Sequence, residues 1–280
     1  MKILVVAPHA DDEVLGLGGT IARYADEGRH VVVAVLTGHG REEPHPLWPP
    51  EAWDVLREEA RAAHAVLGVR ETIFEEIPAV GVADQAVWKL NKTTMDLIQR
   101  VEPDVLYVPF LYDIHKDHRE LTHSFSVAWR PCTDVGRKIR EVFAYETVSE
   151  THWNLPYLEP PFCPNQWVDV GPYLDKKLRA LECYESQIRS FPDARSLEAV
   201  EALARWRGCQ VGLRAAEAFV TIRRVSALSV NGTELPASLE RARVDDPRES
   251  AMGPRRAPHA LPGYHRQKKT STSPPTNGTQ

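Results

Sequence analysis

The chain has 280 residues, which suits one large α/β domain, or two small ones, and is ample for a buried core. Its net charge is -5 with a pI near 6.1, so no basic surplus points to nucleic acid or an anionic membrane surface. No apolar run reaches membrane-spanning length, and Asp11 interrupts the opening apolar run early, so neither a membrane span nor a cleaved signal peptide is expected. The four cysteines, Cys132, Cys163, Cys183 and Cys209, form no Cys-x-x-Cys pair and read as reduced thiols of a cytoplasmic protein.

In chain order, residues 2–7 read as a strand and 14–27 as a helix closed by Gly28. Residues 30–37 read as a fully buried strand, and 51–67 as an amphipathic helix ending at Gly68. Residues 72–77 are strand-like, 85–101 helical and 104–109 a short apolar strand. This alternation predicts an α/β fold: a Rossmann-like, mostly parallel sheet with helices on both faces. A further strand is expected at 139–147, then a long loop at 150–166 rich in proline and aromatic residues. Residues 167–170 read as a strand, about 172–189 and 196–206 as helices, and 219–225 as a last short strand.

After residue 228 the pattern fails. Residues 241–280 hold eight Lys/Arg against three acids, and the stretch Thr270 to Pro275 has no core-forming side chain. The expected organisation is a catalytic domain over 1–228 and a disordered basic tail over 229–280.

Two clusters carry the chemistry. Ile3-Leu4-Val5-Val6-Ala7 ends in Pro8-His9-Ala10-Asp11-Asp12-Glu13, and Val105 to Pro109 precedes Asp113-Ile114-His115-Lys116-Asp117-His118. Open α/β sheets place their sites at the carboxyl ends of strands. Residues i and i+3 on a turn can converge on one ion, as His9 and Asp12 do in spacing, which leaves Asp11 free to face the same cavity. His118 is the natural third ligand. Two histidines and one carboxylate leave zinc, or another divalent metal, an open position for water and substrate.

Blander readings exist for each piece. An Asp-Asp pair after a strand often caps a helix, and His115 and His118 alone could be surface residues. The joint pattern, two His/Asp clusters at two strand ends, favours a metal site. Gly16, Gly18 and Gly19 do not make a dinucleotide fingerprint, because Ile21 stands where a third spaced glycine is needed. They read as close packing of the helix on the sheet.

The chain resembles the PIG-L/LmbE family of zinc-dependent N-deacetylases. The resemblance spans roughly residues 2–225 and rests on Pro8-His9-Ala10-Asp11-Asp12-Glu13 and His115-Lys116-Asp117-His118, with weaker support from Arg207-Gly208 and Ala216-Glu217-Ala218-Phe219. It implies that His9, Asp12 and His118 ligate zinc, that Asp11 is the general base and that His115 is a second catalytic group. Many members carry a substrate-binding arginine in the helix after the second strand. Here Leu56 stands at that position, with Arg57 beside it.

The resemblance further implies hydrolysis of an N-acetylglucosaminyl group on a small soluble glycoside to the free amine and acetate. An antibiotic-biosynthesis intermediate such as N-acetylparomamine and a thiol-precursor glycoside are two such substrates. The leaving amine would take its proton from His115 or from protonated Asp11. Asp117 either orients a ligand histidine or caps the following helix. By composition, the aromatic-rich loop 150–166 is a site for the aglycone, and Trp48 or Trp153 either stacks on the sugar or serves as hydrophobic cover. Two other readings are a same-fold metal hydrolase acting on another C–N bond and a non-catalytic sugar-binding protein.

Overall fold

A computed structural model of the chain describes residues 1–40, 45 and 47–226, together with the backbone of 229–230 and 233–234. The elements, in order, are β1 (Lys2–Ala7), α1 (Asp12–Asp26), β2 (His30–Gly38), α2 (Pro50–Leu67), β3 (Glu71–Pro78), α3 (Val87–Val101), β4 (Val105–Pro109) and α4 (Lys116–Ala128). They continue as a short α5 (Asp134–Lys138), β5 (Glu141–Tyr145), β6 (Gln166–Asp169), α6 (Leu174–Glu182), α7 (Leu197–Cys209) and β7 (Ala216–Arg224). All of these lie in one compact unit, Met1–Ser226. A second unit, Ala227–Gln280, contributes the two-stranded hairpin β8 (Ser229–Val230) and β9 (Thr233–Glu234). Apart from that backbone, the expected tail at 229–280 lies outside the described residues.

The sheet has seven strands in the order β3-β2-β1-β4-β5-β7-β6. Pairing is parallel from β3 through β5, and β7 runs antiparallel to both β5 and β6. The mostly parallel, Rossmann-like sheet expected from the apolar alternation is therefore the fold. Successive residues of β1 serve opposite cores, as the two-residue period of a strand requires. Ile3, Val5 and Ala7 pack with Leu15, Ile21, Ala60 and Leu181 on one face. Leu4 and Val6 pack with Leu97, Leu121 and Phe125 on the other.

The chain runs β1, β2, β3 toward one edge, then crosses back to place β4 on the other side of β1. That reversal makes the carboxyl ends of β1 and β4 a topological switch point, where a crevice opens in doubly wound sheets. His9 to Asp12 follow β1, and Asp113 to His118 follow β4.

α5 is not among the expected elements, and α7 runs on to Cys209 rather than 206; α6 and α1 depart for reasons their contacts show. α6 ends at Glu182 rather than near 189. The Tyr184 hydroxyl donates to Glu13, and the Ser186 N–H and hydroxyl both donate to the Glu59 carboxylate, so side-chain anchors draw the chain off the helical path. α1 begins at Asp12, two residues early, and is broken at Leu17 (φ -147°, ψ 28°). The second segment's free N–H groups are taken by Glu217, which accepts from Gly19 at 2.9 Å and Thr20 at 2.6 Å. Lys177 bridges Glu217 to the freed Leu15 carbonyl at 2.6 and 2.9 Å. A buried carboxylate and ammonium thus satisfy both sides of the break. The glycines are packing residues, as read: a Cβ on Gly16 would lie 2.3 Å from the Tyr145 ring, and one on Gly19 2.7 Å from Val170.

Candidate active site

The turn after β1 puts strain where the chemistry is. Asp11 sits at φ 119°, a region that side chains other than glycine rarely adopt and that costs about 1–3 kcal/mol. Its carbonyl accepts from Val14 and Leu15, the opening bonds of α1. Its N–H donates to the buried Glu13 carboxylate at 3.3 Å. Glu13 in turn accepts from the Tyr184 hydroxyl at 2.5 Å and lies 3.2 Å from His64 Nε2. The strained turn is therefore braced from α2 and from the segment after α6.

The strained turn brings His9 and Asp12 to His118, as the spacing predicts. Asp12 Oδ2 lies 3.3 Å from His9 Nδ1 and 3.1 Å from His118 Nε2. These separations match the edge of about 3.3 Å expected for ligand atoms placed tetrahedrally around zinc. His118 Nε2 is buried and has no hydrogen-bond partner, although its ring is fully enclosed. Such an orphan is costly unless a ligand satisfies it. The other nitrogen of each histidine faces a carboxylate: His9 Nε2 is 3.1 Å from Asp117 Oδ2, and His118 Nδ1 is 2.8 Å from Asp113 Oδ2. Carboxylate–histidine pairing of this kind fixes the ring that a metal binds. The donor set, its spacing and its outer carboxylates all fit a divalent ion.

The charges agree. Burial opposes protonation of His9, but hydrogen bonds to Asp117 and Asp12 raise it to about 9. His118 is likewise raised, against burial, by Asp12 and Asp113. Burial works to raise Asp12, yet His118 and His9 hold it well below the usual carboxylate range. The pocket thus stabilises positive charge between these side chains.

Asp11 and His115 flank this cluster in one cavity. Burial pushes the Asp11 carboxyl up to about 8, with Arg195 opposing. His115 caps α4: its Nδ1 accepts the Asp117 N–H at 3.1 Å. Burial and the neighbouring His9 and His118 push it down to about 4. The imidazole is therefore neutral near pH 7 and carries its proton on Nε2. Its ring centroid is 4.5 Å from that of His9.

Asp117 faces His9 and is not the helix cap, which His115 supplies. Besides facing His9, it accepts the N–H groups of Val80 at 2.6 Å and Val82 at 3.3 Å. It thereby fixes the stretch after β3 that forms part of the cavity wall.

The cavity has a volume of about 370 Å³ and joins His9, Asp11 and His115 to an apolar recess. Trp48, Trp53, Leu56 and Phe74 line the recess, with Arg57 and Arg195 at its wall. Trp48 lies on the cavity wall. Trp153 is not on the wall, and neither are the other described residues of 150–166. The bidentate Arg119–Glu159 pair pins that loop to α4 instead, leaving Trp153 and Tyr157 exposed. Leu56 faces the cavity where many family members carry arginine, while the Arg57 guanidinium hydrogen-bonds Glu76 and lies 5.7 Å from the Phe74 ring centre. Asp113, Glu13 and Arg195 joined the site without a local signal that named their roles.

Residues 4–129 match the family model described as GlcNAc-PI de-N-acetylase (PIG-L), a stretch that contains both histidine motifs. The chain is similar to diacetylchitobiose deacetylase of Thermococcus kodakarensis, 29% identical over 69% of this chain and 71% of the relative. It is also similar to 4-oxalmesaconate hydratase of Pseudomonas putida, 28% identical over 66% of this chain and 73% of that one. Among solved structures, a conserved protein of Thermus thermophilus superposes with a TM-score of 0.62 at 27% identity, covering 83% of this chain and 99% of that protein. The PIG-L match over residues 4–129, the fold and the convergence of both motifs at the switch point together fit an enzyme of the PIG-L/LmbE deacetylase type.

Proposed function

We propose that this enzyme hydrolyses the acetamide of an N-acetylglucosaminyl group on a small soluble glycoside, releasing acetate and the free amine. The observation that carries the reading is the convergence of His9 Nδ1, Asp12 Oδ2 and His118 Nε2, each histidine backed by its own carboxylate. His9, Asp12 and His118 would hold one divalent ion, zinc by donor chemistry. Such an ion supplies a Lewis-acid contact for the amide carbonyl and acidifies water.

The protein's own groups do the rest. Asp11, buried and facing the cavity, accepts the proton of the attacking water. A base whose affinity for protons lies near the working pH is the effective kind. The neutral His115 donates its Nε2–H to the oxygen on which negative charge develops. A neutral imidazole is a poor acid, so Asp11, once protonated, is the group that returns the proton to the departing amine. The apolar recess at Trp48, Trp53 and Phe74 takes the less polar part of the glycoside. No described helix is long and apolar enough to cross a membrane.

The hydratase relative motivates a second reading, water addition to a carboxylate substrate. The cavity opposes it. Arg57 is committed to Glu76, and Arg195 lies between Asp11 and Glu150, so both described arginines of the wall already face carboxylates. The test is amine release from a panel of N-acetylglucosaminides by metal-loaded protein, with 4-oxalmesaconate as the competing substrate. Amine release with about one metal per chain supports deacetylation. Hydration of 4-oxalmesaconate with no amine released from any glycoside overturns it.

A further inference from the structure

We infer that Arg195 is the substrate-binding arginine of this enzyme and donates hydrogen bonds to a hydroxyl of the sugar ring beside the scissile amide. The inference rests on the deacetylase reading above and names a residue that neither histidine motif contains.

Arg195 is held by a built turn. Its N–H donates to Asp193 Oδ1 at 2.8 Å, its carbonyl accepts from Arg189, and Ser196 beside it caps α7. The turn aims the side chain at the cavity wall that also carries His9, Asp11 and His115. There the guanidinium lies 3.6 Å from Asp11 Oδ2 through Nε and 3.8 Å from Glu150 Oε1 through Nη2. Both separations exceed hydrogen-bond length, and Nε has no hydrogen-bond partner. No hydrogen bond from the guanidinium to any described residue forms. Its five N–H donors thus face two carboxylates without hydrogen-bonding any described residue.

Arg57, the other described arginine of the wall, is in the opposite condition. Its guanidinium is hydrogen-bonded to Glu76 and stacked near Phe74, and the position one residue before it is the apolar Leu56. Donation to a substrate oxygen on the α2 side would break an existing bond, whereas on the Arg195 side it would break none. The charge of Arg195 is already balanced by Asp11 and Glu150. A second carboxylate brought by the substrate would face both acids, so the partner is a neutral oxygen. In an N-acetylglucosaminide, the carbons beside the amide-bearing carbon carry the glycosidic oxygen and the 3-hydroxyl, so the ring hydroxyl nearest the amide is the 3-hydroxyl.

The experiment uses the metal-loaded full chain and whichever N-acetylglucosaminide of the panel the wild type turns over. Kinetic constants are measured for wild type, R195A and R195K on that glycoside and on analogues lacking one ring hydroxyl each. A hydrogen bond from a charged donor predicts a loss of about 10- to 100-fold in kcat/KM for R195A, carried mainly by KM, with partial recovery in R195K. One deoxy analogue should lower wild-type kcat/KM by a similar factor and cause R195A no further loss. Metal content should stay at the wild-type value, because the guanidinium pairs with Asp11 and Glu150 and with none of His9, Asp12 and His118. Unchanged R195A kinetics, or losses for every deoxy analogue that simply add to the R195A loss, overturn the inference while leaving the deacetylase reading intact. A wild type inactive on the whole panel overturns both.

Discussion

Asp113 is the residue whose replacement tests the proposed metal centre most cleanly. Its carboxylate is fully buried, with Oδ2 2.8 Å from His118 Nδ1 and Oδ1 accepting from the Thr151 hydroxyl at 2.6 Å. D113N keeps the shape. The amide oxygen can still accept from His118, and the amide nitrogen can donate to Thr151, whose oxygen also accepts the Thr147 N–H. What disappears is the negative charge behind the ring. A ligand imidazole is then a weaker donor, and losses of this kind run to about 10–100-fold in metal affinity, or about 1.4–2.7 kcal/mol. D113A removes the acceptor as well and should lie at the weak end. Competition against a chelator of known affinity, at fixed pH, measures the change. Equal affinity in wild type, D113N and D113A would refute the assignment of His118 as a ligand oriented by Asp113.

Three further outcomes follow from the same geometry. D11N should retain the metal and lose about 10²–10⁴-fold in kcat, because the amide cannot take the water proton; single-turnover amine release with a metal assay checks both halves. K177M leaves Glu217 without its counter-ion and the Leu15 carbonyl without its donor at the break in α1, so urea unfolding should show a loss of about 3–5 kcal/mol. Truncation after about residue 240 should leave melting temperature and kcat/KM near wild type, since the removed residues lack the apolar periodicity that offsets ordering entropy; a selective rise in KM would instead show that they close over the substrate.

What was legible in the sequence follows the range of the interactions. Ile3 to Ala7 declare a buried strand because both its faces must be apolar. His9, Asp12 and His118 declare a candidate site because each motif is local, and the fold only has to set two strand ends side by side. The supporting partners are remote: Tyr184 reaches Glu13 across 171 residues and Lys177 reaches Leu15 across 162. No local pattern marks such pairs. The glycines at 16 and 19 could be read as packing residues, but the Tyr145 ring and Val170 that require them could not. The loop at 150–166 shows how composition misleads. Its aromatic residues suggested sugar stacking, yet the decisive pair is Arg119 with Glu159, which ties the loop to α4 and away from the cavity wall.

Asp117 couples two properties that Asp113 keeps apart. One of its oxygens faces His9 Nε2 and also accepts the Val80 N–H, while the other accepts the Val82 N–H. Val80 is itself held at φ 62°, an unfavourable conformation for a β-branched residue, and lines the cavity with Ala79. In D117N only one side-chain atom remains an acceptor, so His9 and the two N–H groups cannot all be satisfied. Releasing Val80 lets its backbone relax from the left-handed region, and the wall moves. D117N should therefore weaken metal binding by about 10–100-fold and also raise KM when the enzyme is saturated with metal. D113N, whose partners do not touch the wall, should leave KM unchanged at saturating metal. Chelator competition followed by steady-state kinetics in excess metal separates the two effects. Equal KM for D117N and wild type would show that the 79–82 wall keeps its shape without Asp117, and would confine that residue to the support of His9.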